Sequence, residues 1–110
     1  MEITVSDVGE VKVVRMEGSL DTQTSPEAQT RITEFVDQGV TKIVVNFEKL
    51  DYVSSAGLRI LLTTAKRLKG NGGELRICGL NGDVQDAFGF AGFHMILTVK
   101  KTESEALEGF

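Results

Sequence analysis

Apolar and polar residues alternate from the start of the chain. Ile3 and Val5 stand between polar neighbours, and Val11-Lys12-Val13-Val14-Arg15-Met16 follows as a β-branched run. Val8-Gly9-Glu10 supplies a turn glycine between them, so the pattern predicts a β-hairpin. Gly18-Ser19-Leu20-Asp21 then leaves the second strand. Thr24-Ser25-Pro26-Glu27 reads as a helix start: either hydroxyl suits a cap, Pro26 suits the first turn, and Thr24 with Glu27 has capping-box spacing. Ala28, Ile32, Phe35 and Val36 form one apolar stripe, and Gly39 supplies a left-handed stop. Lys42-Ile43-Val44-Val45-Asn46-Phe47 is nearly continuous in apolar residues, the pattern of a central strand covered on both faces.

Leu50 to Ser55 leads into a second helix, predicted from Ala56 to Lys69, with Leu58, Leu61, Leu62, Ala65 and Leu68 as its buried stripe. Arg59, Lys66, Arg67 and Lys69 fall on or near the other face, and Gly70-Asn71-Gly72-Gly73 breaks the helix. Glu74 to Leu80 reads as a strand, Asp83 as the cap of a short helix carrying Val84, Ala87 and Phe88, and Met95 to Val99 as a last strand. Ser104 to Leu107 starts a terminal helix. The predicted order is β-β-α-β-α-β-α-β-α, an α/β fold in which a small, largely parallel sheet gains an antiparallel edge from the opening hairpin.

Composition narrows the function classes. The 110 residues suit one domain spanning 1–110. A net charge of −4, from 12 basic and 16 acidic residues, argues against nucleic acid or an anionic membrane as the main partner. One cysteine, Cys78, permits no internal disulfide, which suits a reducing compartment. The first residues lack the basic start and apolar stretch of a signal peptide, and runs such as Ile60-Leu61-Leu62 are far too short to span a membrane. A cytoplasmic protein is the expectation.

Catalytic and metal-binding patterns are weak. A Ser-His-Asp arrangement would need Ser55, His94 and Asp21 or Asp51, but a nucleophile elbow wants glycine two places before the serine, where Val53 stands. The single His and single Cys show no ligand spacing, so neither a metal nor a cofactor is expected. Cys78 lies in an apolar strand and reads as a buried, inert thiol. Gly70 to Gly73 follows a helix and precedes a strand, the reverse of a phosphate loop, and Phe88, Phe90 and Phe93 read as core, with a surface recognition loop as the alternative.

The informative stretch is Leu50 to Leu62, where Ser54 and Ser55 meet at a strand-to-helix junction. One of them can serve simply as an N-cap. Alternatively, one is a phosphorylation site, since a phosphate of about −1.5 to −2 charges sits well at the positive end of a helix dipole. The run Leu50-Asp51-Tyr52-Val53-Ser54-Ser55-Ala56-Gly57-Leu58-Arg59-Ile60-Leu61-Leu62 resembles the signature of STAS domains, and of bacterial anti-sigma factor antagonists in particular. Gly18-Ser19-Leu20-Asp21, the strand from Ile43 to Phe47, Gly72-Gly73-Glu74-Leu75 and Glu105-Ala106-Leu107 extend the likeness along nearly the whole chain.

The resemblance implies a small mixed sheet flanked by helices and no catalytic activity. It implies binding to an anti-sigma factor that is also a serine kinase using ATP, release of a sigma factor, inactivation by phosphorylation of a serine at the start of the second helix, and reversal by a serine phosphatase. Counted back from Gly57-Leu58, that serine falls on Ser55, with Ser54 the alternative. Asp21 matches an acidic residue near the site. Asp21, Thr22 and Ser54 would form a polar rim, while Ala56, Gly57 and Leu58 would let a partner approach closely. Where the family commonly has Asp-Ser-Ser-Gly or Asp-Ser-Thr-Gly, Ser54 takes the Asp place and Ala56 replaces the second hydroxyl. The rival expectation is a STAS module that is never phosphorylated, serving as a scaffold in a transporter or a multi-protein sensor.

Overall fold

The hairpin forms as its alternation requires. In a computed structural model, which describes residues 1–82, 84–86 and 97–110, β1 (Glu2–Val8) and β2 (Val11–Leu20) pair antiparallel. The chain then crosses over through α1 (Ser25–Asp37) to β3 (Lys42–Val53), and through α2 (Ser55–Gly70) to β4 (Glu74–Cys78). β5 (Thr98–Lys100) and α3 (Glu103–Leu107) close the described chain, and residues 82 and 84–86 are helical. The sheet order is β1-β2-β3-β4-β5, with every pair after the hairpin parallel. This is the mixed α/β architecture that the sequence predicts.

The period-2 alternation of each strand sorts its residues between two cores. Val14 and Met16 of β2, Ile43, Val45 and Phe47 of β3, and Leu75 and Ile77 of β4 join Ala28, Ile32 and Val36 of α1 and Leu58, Leu61 and Leu68 of α2. On the other face Val11, Val13, Val44 and Cys78 lie under Ala106 of α3, with Leu107 and Phe110 packed alongside. β3 is therefore covered on both sides, as its apolar run implies. Arg76 holds the end of the chain down: its guanidinium donates to the carbonyls of Ala106 and Glu108 at 3.0 and 2.7 Å and stacks over the Phe110 ring.

Several boundaries differ from the sequence reading. β3 runs six residues beyond Phe47, because its far half pairs with the end of β2 after irregularities between Arg15 and Glu17 and between Gly18 and Ser19. These irregularities rotate the strands locally, so the exposed pair Glu48-Lys49 interrupts the apolar run without ending the strand. β2 likewise keeps Gly18 to Leu20. On α2 the buried stripe takes in Ile60 and Thr64, while Leu62 is only half-buried. Thr24 is the N-cap residue of α1 but makes no capping bond. The stop at Gly39 is as expected: with φ at +92°, its N–H reaches Val36 and that of Val40 reaches Phe35, the paired bonds of a Schellman ending. Asn81 makes capping bonds to the N–H groups of Val84 and Gln85, through its side chain and its carbonyl respectively. The expected roles of Asp83, Ala87, Phe88, Phe90, Phe93, His94 and Met95 fall outside the described residues.

Candidate functional site at the start of the second helix

Parallel pairing of β2 and β3 fixes where the candidate residues meet. Leu20 and Val53 are register partners at the ends of the two strands, so the chain leaves both strands side by side. One exit becomes the Asp21–Thr24 loop and α1; the other becomes Ser54 and α2. The Ser54 N–H donates to the Leu20 carbonyl at 2.8 Å and ties the two exits together. Both helices therefore start at the same edge of the molecule.

The two serines have different surroundings. Ser54 is extended, with φ −89° and ψ 170°, and its Oγ accepts from the Gly57 N–H at 3.2 Å while its carbonyl accepts from Leu58. It is the N-cap of α2. Ser55 is the first residue of the helix and is exposed. Its hydroxyl stands where the dipole is positive and first-turn N–H groups lack intrahelical partners.

Asp21 organises the facing loop. Its carboxylate accepts from the N–H groups of Gln23 and Thr24 at 2.9 and 3.0 Å, and the Thr24 hydroxyl donates to the Ser19 carbonyl at 2.7 Å. That last bond explains why Thr24 leaves the α1 start uncapped. The Thr24 backbone bond, aided by Gln23 and the Thr24 hydroxyl, holds the Asp21 carboxyl below its ordinary pKa against a partial opposing effect of desolvation. Thr22 projects from the same loop and is exposed.

Of the residues expected at the site, Asp21, Thr22, Ser54, Ser55 and Ala56 gather at this edge with at least part of their surface exposed. Gly57 and Leu58 do not face outward. Leu58 is 7% exposed and belongs to the core, and Gly57 is buried against Leu20. The close approach that requires glycine at 57 is thus made by the chain's own β2 end.

Two features of this edge carry no signal in the sequence. A groove of about 230 Å³ runs between the starts of α1 and α2, lined by Thr22, Ser25 and Gln29 on one side and Ala56, Arg59 and Thr63 on the other. In addition, Tyr52 is 54% exposed two residues before the cap. Their parts come from segments some thirty positions apart, brought together only by the parallel crossover. A second cavity, about 450 Å³, lies by the Arg15–Glu103–Asn46 cluster beside α3, away from this edge. Among the described residues no group of acidic, His and Cys side chains is placed to hold a metal ion, and no helix is long and apolar enough to cross a membrane.

Comparison with known proteins agrees with this architecture. The family model for the STAS domain matches residues 2–106. BtrV of Bordetella bronchiseptica is 30% identical over 110 residues, covering 100% of this chain and 95% of that protein. The anti-sigma-B factor antagonist of Staphylococcus aureus is 33% identical over 93 residues, covering 84% of this chain and 86% of its own. Among solved structures, the Bacillus cell fate determinant SpoIIAA in its phosphorylated form superposes with a TM-score of 0.76 at 26% identity, covering 97% of both chains. The unphosphorylated form of the anti-sigma factor antagonist SpoIIAA gives 0.77 at 25% identity, covering 97% of this chain and 96% of the other. The chain belongs to the STAS-domain family, in the company of the bacterial anti-sigma factor antagonists.

Proposed function

We propose that the protein is an anti-sigma factor antagonist. It binds an anti-sigma factor through the edge formed by the Asp21–Thr24 loop and the start of α2, and so releases a sigma factor. The anti-sigma factor doubles as a serine kinase. It transfers the γ-phosphoryl group of ATP to the Ser55 Oγ, the hydroxyl proton leaving to a base on the kinase and ADP departing, and the complex then dissociates. A serine phosphatase hydrolyses the ester and restores binding. The protein performs no chemistry of its own and works in the cytoplasm.

The observation that carries this reading is the division between the two serines. Ser54 spends its hydroxyl on the helix cap, whereas Ser55 is exposed on the first turn. A phosphate at Ser55 meets the positive end of the dipole, so the fold tolerates it, while added charge and bulk fall on the docking surface. The names of the S. aureus and SpoIIAA proteins, and the existence of SpoIIAA in phosphorylated and unphosphorylated forms, support the same reading.

Peptide mass spectrometry of the protein purified from its native cells tests it. One phosphate mapped to Ser55 is the expected result. Modification at Ser54 instead would move the switch to the other serine, and absence of phosphate under every growth condition would favour an unmodified scaffold.

A further inference from the structure

Arg59 has no part in the partner switch proposed for Ser55. Arg59 is exposed, makes no ion pair among the described residues, and is the one charged residue lining the groove between α1 and α2. It lies four residues after Ser55 on the same helix. The groove also holds Ser25, 4% exposed, whose buried Oγ has no hydrogen-bond partner among the described residues. An unpaired cation and an unused hydroxyl thus share one small cavity beside an exposed serine.

We propose that Arg59 and the first turn of α2 form an intramolecular phosphate-binding site whose ligand is the phosphate ester of Ser55. The proposal rests on the reading of Ser55 as the modified residue, but not on which kinase acts there. Positions four apart on a helix face one another, with Cβ atoms about 5–6 Å apart, and an anion N-terminal to a cation is the favourable order. A guanidinium offers two parallel donors that match two phosphate oxygens. The first-turn N–H groups add the positive end of the dipole.

The consequence for the groove follows directly. In the unmodified chain Arg59 is its cation, open to an acidic group of a docking partner. Once Ser55 is phosphorylated, the guanidinium turns to the phosphate and the groove loses the Arg59 charge. Phosphorylation then alters the surface twice, by the charge it adds and by the charge it withdraws.

Phosphoserine incorporated at position 55 of the full chain during synthesis allows a direct test, with the second ionisation of the phosphate followed by ³¹P NMR. The unpaired group titrates near pH ~6. With Arg59 present the pKa is expected to lie about half a unit below its value in R59Q, because one unit charge at ~5 Å in a high-dielectric surface acts on the second proton. The R59K variant should retain part of the shift, and high salt should shrink it. Equal pKa values in the parent and R59Q proteins, both folded by circular dichroism, would overturn the proposal. The outcome is independent of natural phosphorylation: an Arg59-dependent shift in a protein that native cells never modify would sustain the site and defeat the switch.

Discussion

Leu20 occupies the space that a side chain on Gly57 would need. A Cβ built on Gly57 would lie 2.8 Å from Leu20 Cγ and 3.0 Å from the Leu20 carbonyl oxygen, the same oxygen that accepts the Ser54 N–H. The end of β2 therefore seats the first turn of α2 by packing and by hydrogen bonding at once. Gly57→Ala gains helix propensity of about 1 kcal/mol but forces a fully buried leucine and its backbone apart. A net loss of about 1–2 kcal/mol in urea unfolding is expected. A variant as stable as the parent would show that Leu20 yields freely.

The two serines should separate in stability. Ser54→Ala removes the acceptor of the Gly57 N–H and is expected to cost about 1 kcal/mol. Ser55→Ala removes no side-chain hydrogen bond among the described residues, and its effect should stay within about 0.5 kcal/mol. Ser55→Asp should likewise melt close to the parent while weakening binding to the anti-sigma factor. Calorimetry on the three variants, with titration of the partner, checks both halves. A large stability loss at Ser55 would reverse the assignment of cap and surface residue.

Acid sensitivity has a source on the opposite face of the sheet. Burial alone would raise the Glu103 pKa, but hydrogen bonds from Arg15 and Asn46 and the Arg15 charge outweigh it and hold the carboxyl below its ordinary 4.5. A carboxyl with a depressed folded-state pKa stabilises fully above its unfolded value, and that stabilisation fades as pH falls through the folded value. Stability should therefore decline below about pH 4.5, and Glu103→Gln should flatten this limb of the curve. Denaturant midpoints measured from pH 7 to pH 3 read the slope; an identical acid limb in the variant would remove Glu103 from the account.

Cys78 reports on the hold of α3. It is fully buried beneath Ala106, and burial, reinforced by the Glu103 and Glu48 charges, pushes its thiol up to about 12. At pH 8 a thiol reagent should reach it only through opening of the chain's end. Ala106→Asp, which would place a carboxylate in that core, should speed labelling by about tenfold or more. Rapid labelling of the parent protein would contradict the seal.

Much of this architecture could be read from residues alone. The period-2 hairpin, the unbroken apolar run of β3 and the spaced stripe of α1 each determine an element, because burial on one face or two leaves a local pattern. The boundaries that escaped depend on partners elsewhere. Glu48-Lys49 looks like a strand end until the irregular pairing with β2 is known, and Thr24 looks like a cap until Ser19 claims its hydroxyl. Ser54 and Ser55 stand out as a pair in the sequence, but only the Gly57 contact assigns the capping role. The Arg15–Asn46–Glu103 cluster joins positions up to 88 residues apart, and no local pattern announces it.

The tie between Leu20 and Ser54 also bears on how the protein can change over evolutionary time. Neighbouring residues at one edge answer to separate demands: Ser54, Gly57 and Leu58 to folding, and Thr22, Ser55 and Arg59 to whatever the edge meets. Substitution in the second group leaves the first intact. A lineage can therefore rewire its recognition at this edge while inheriting the same scaffold unaltered.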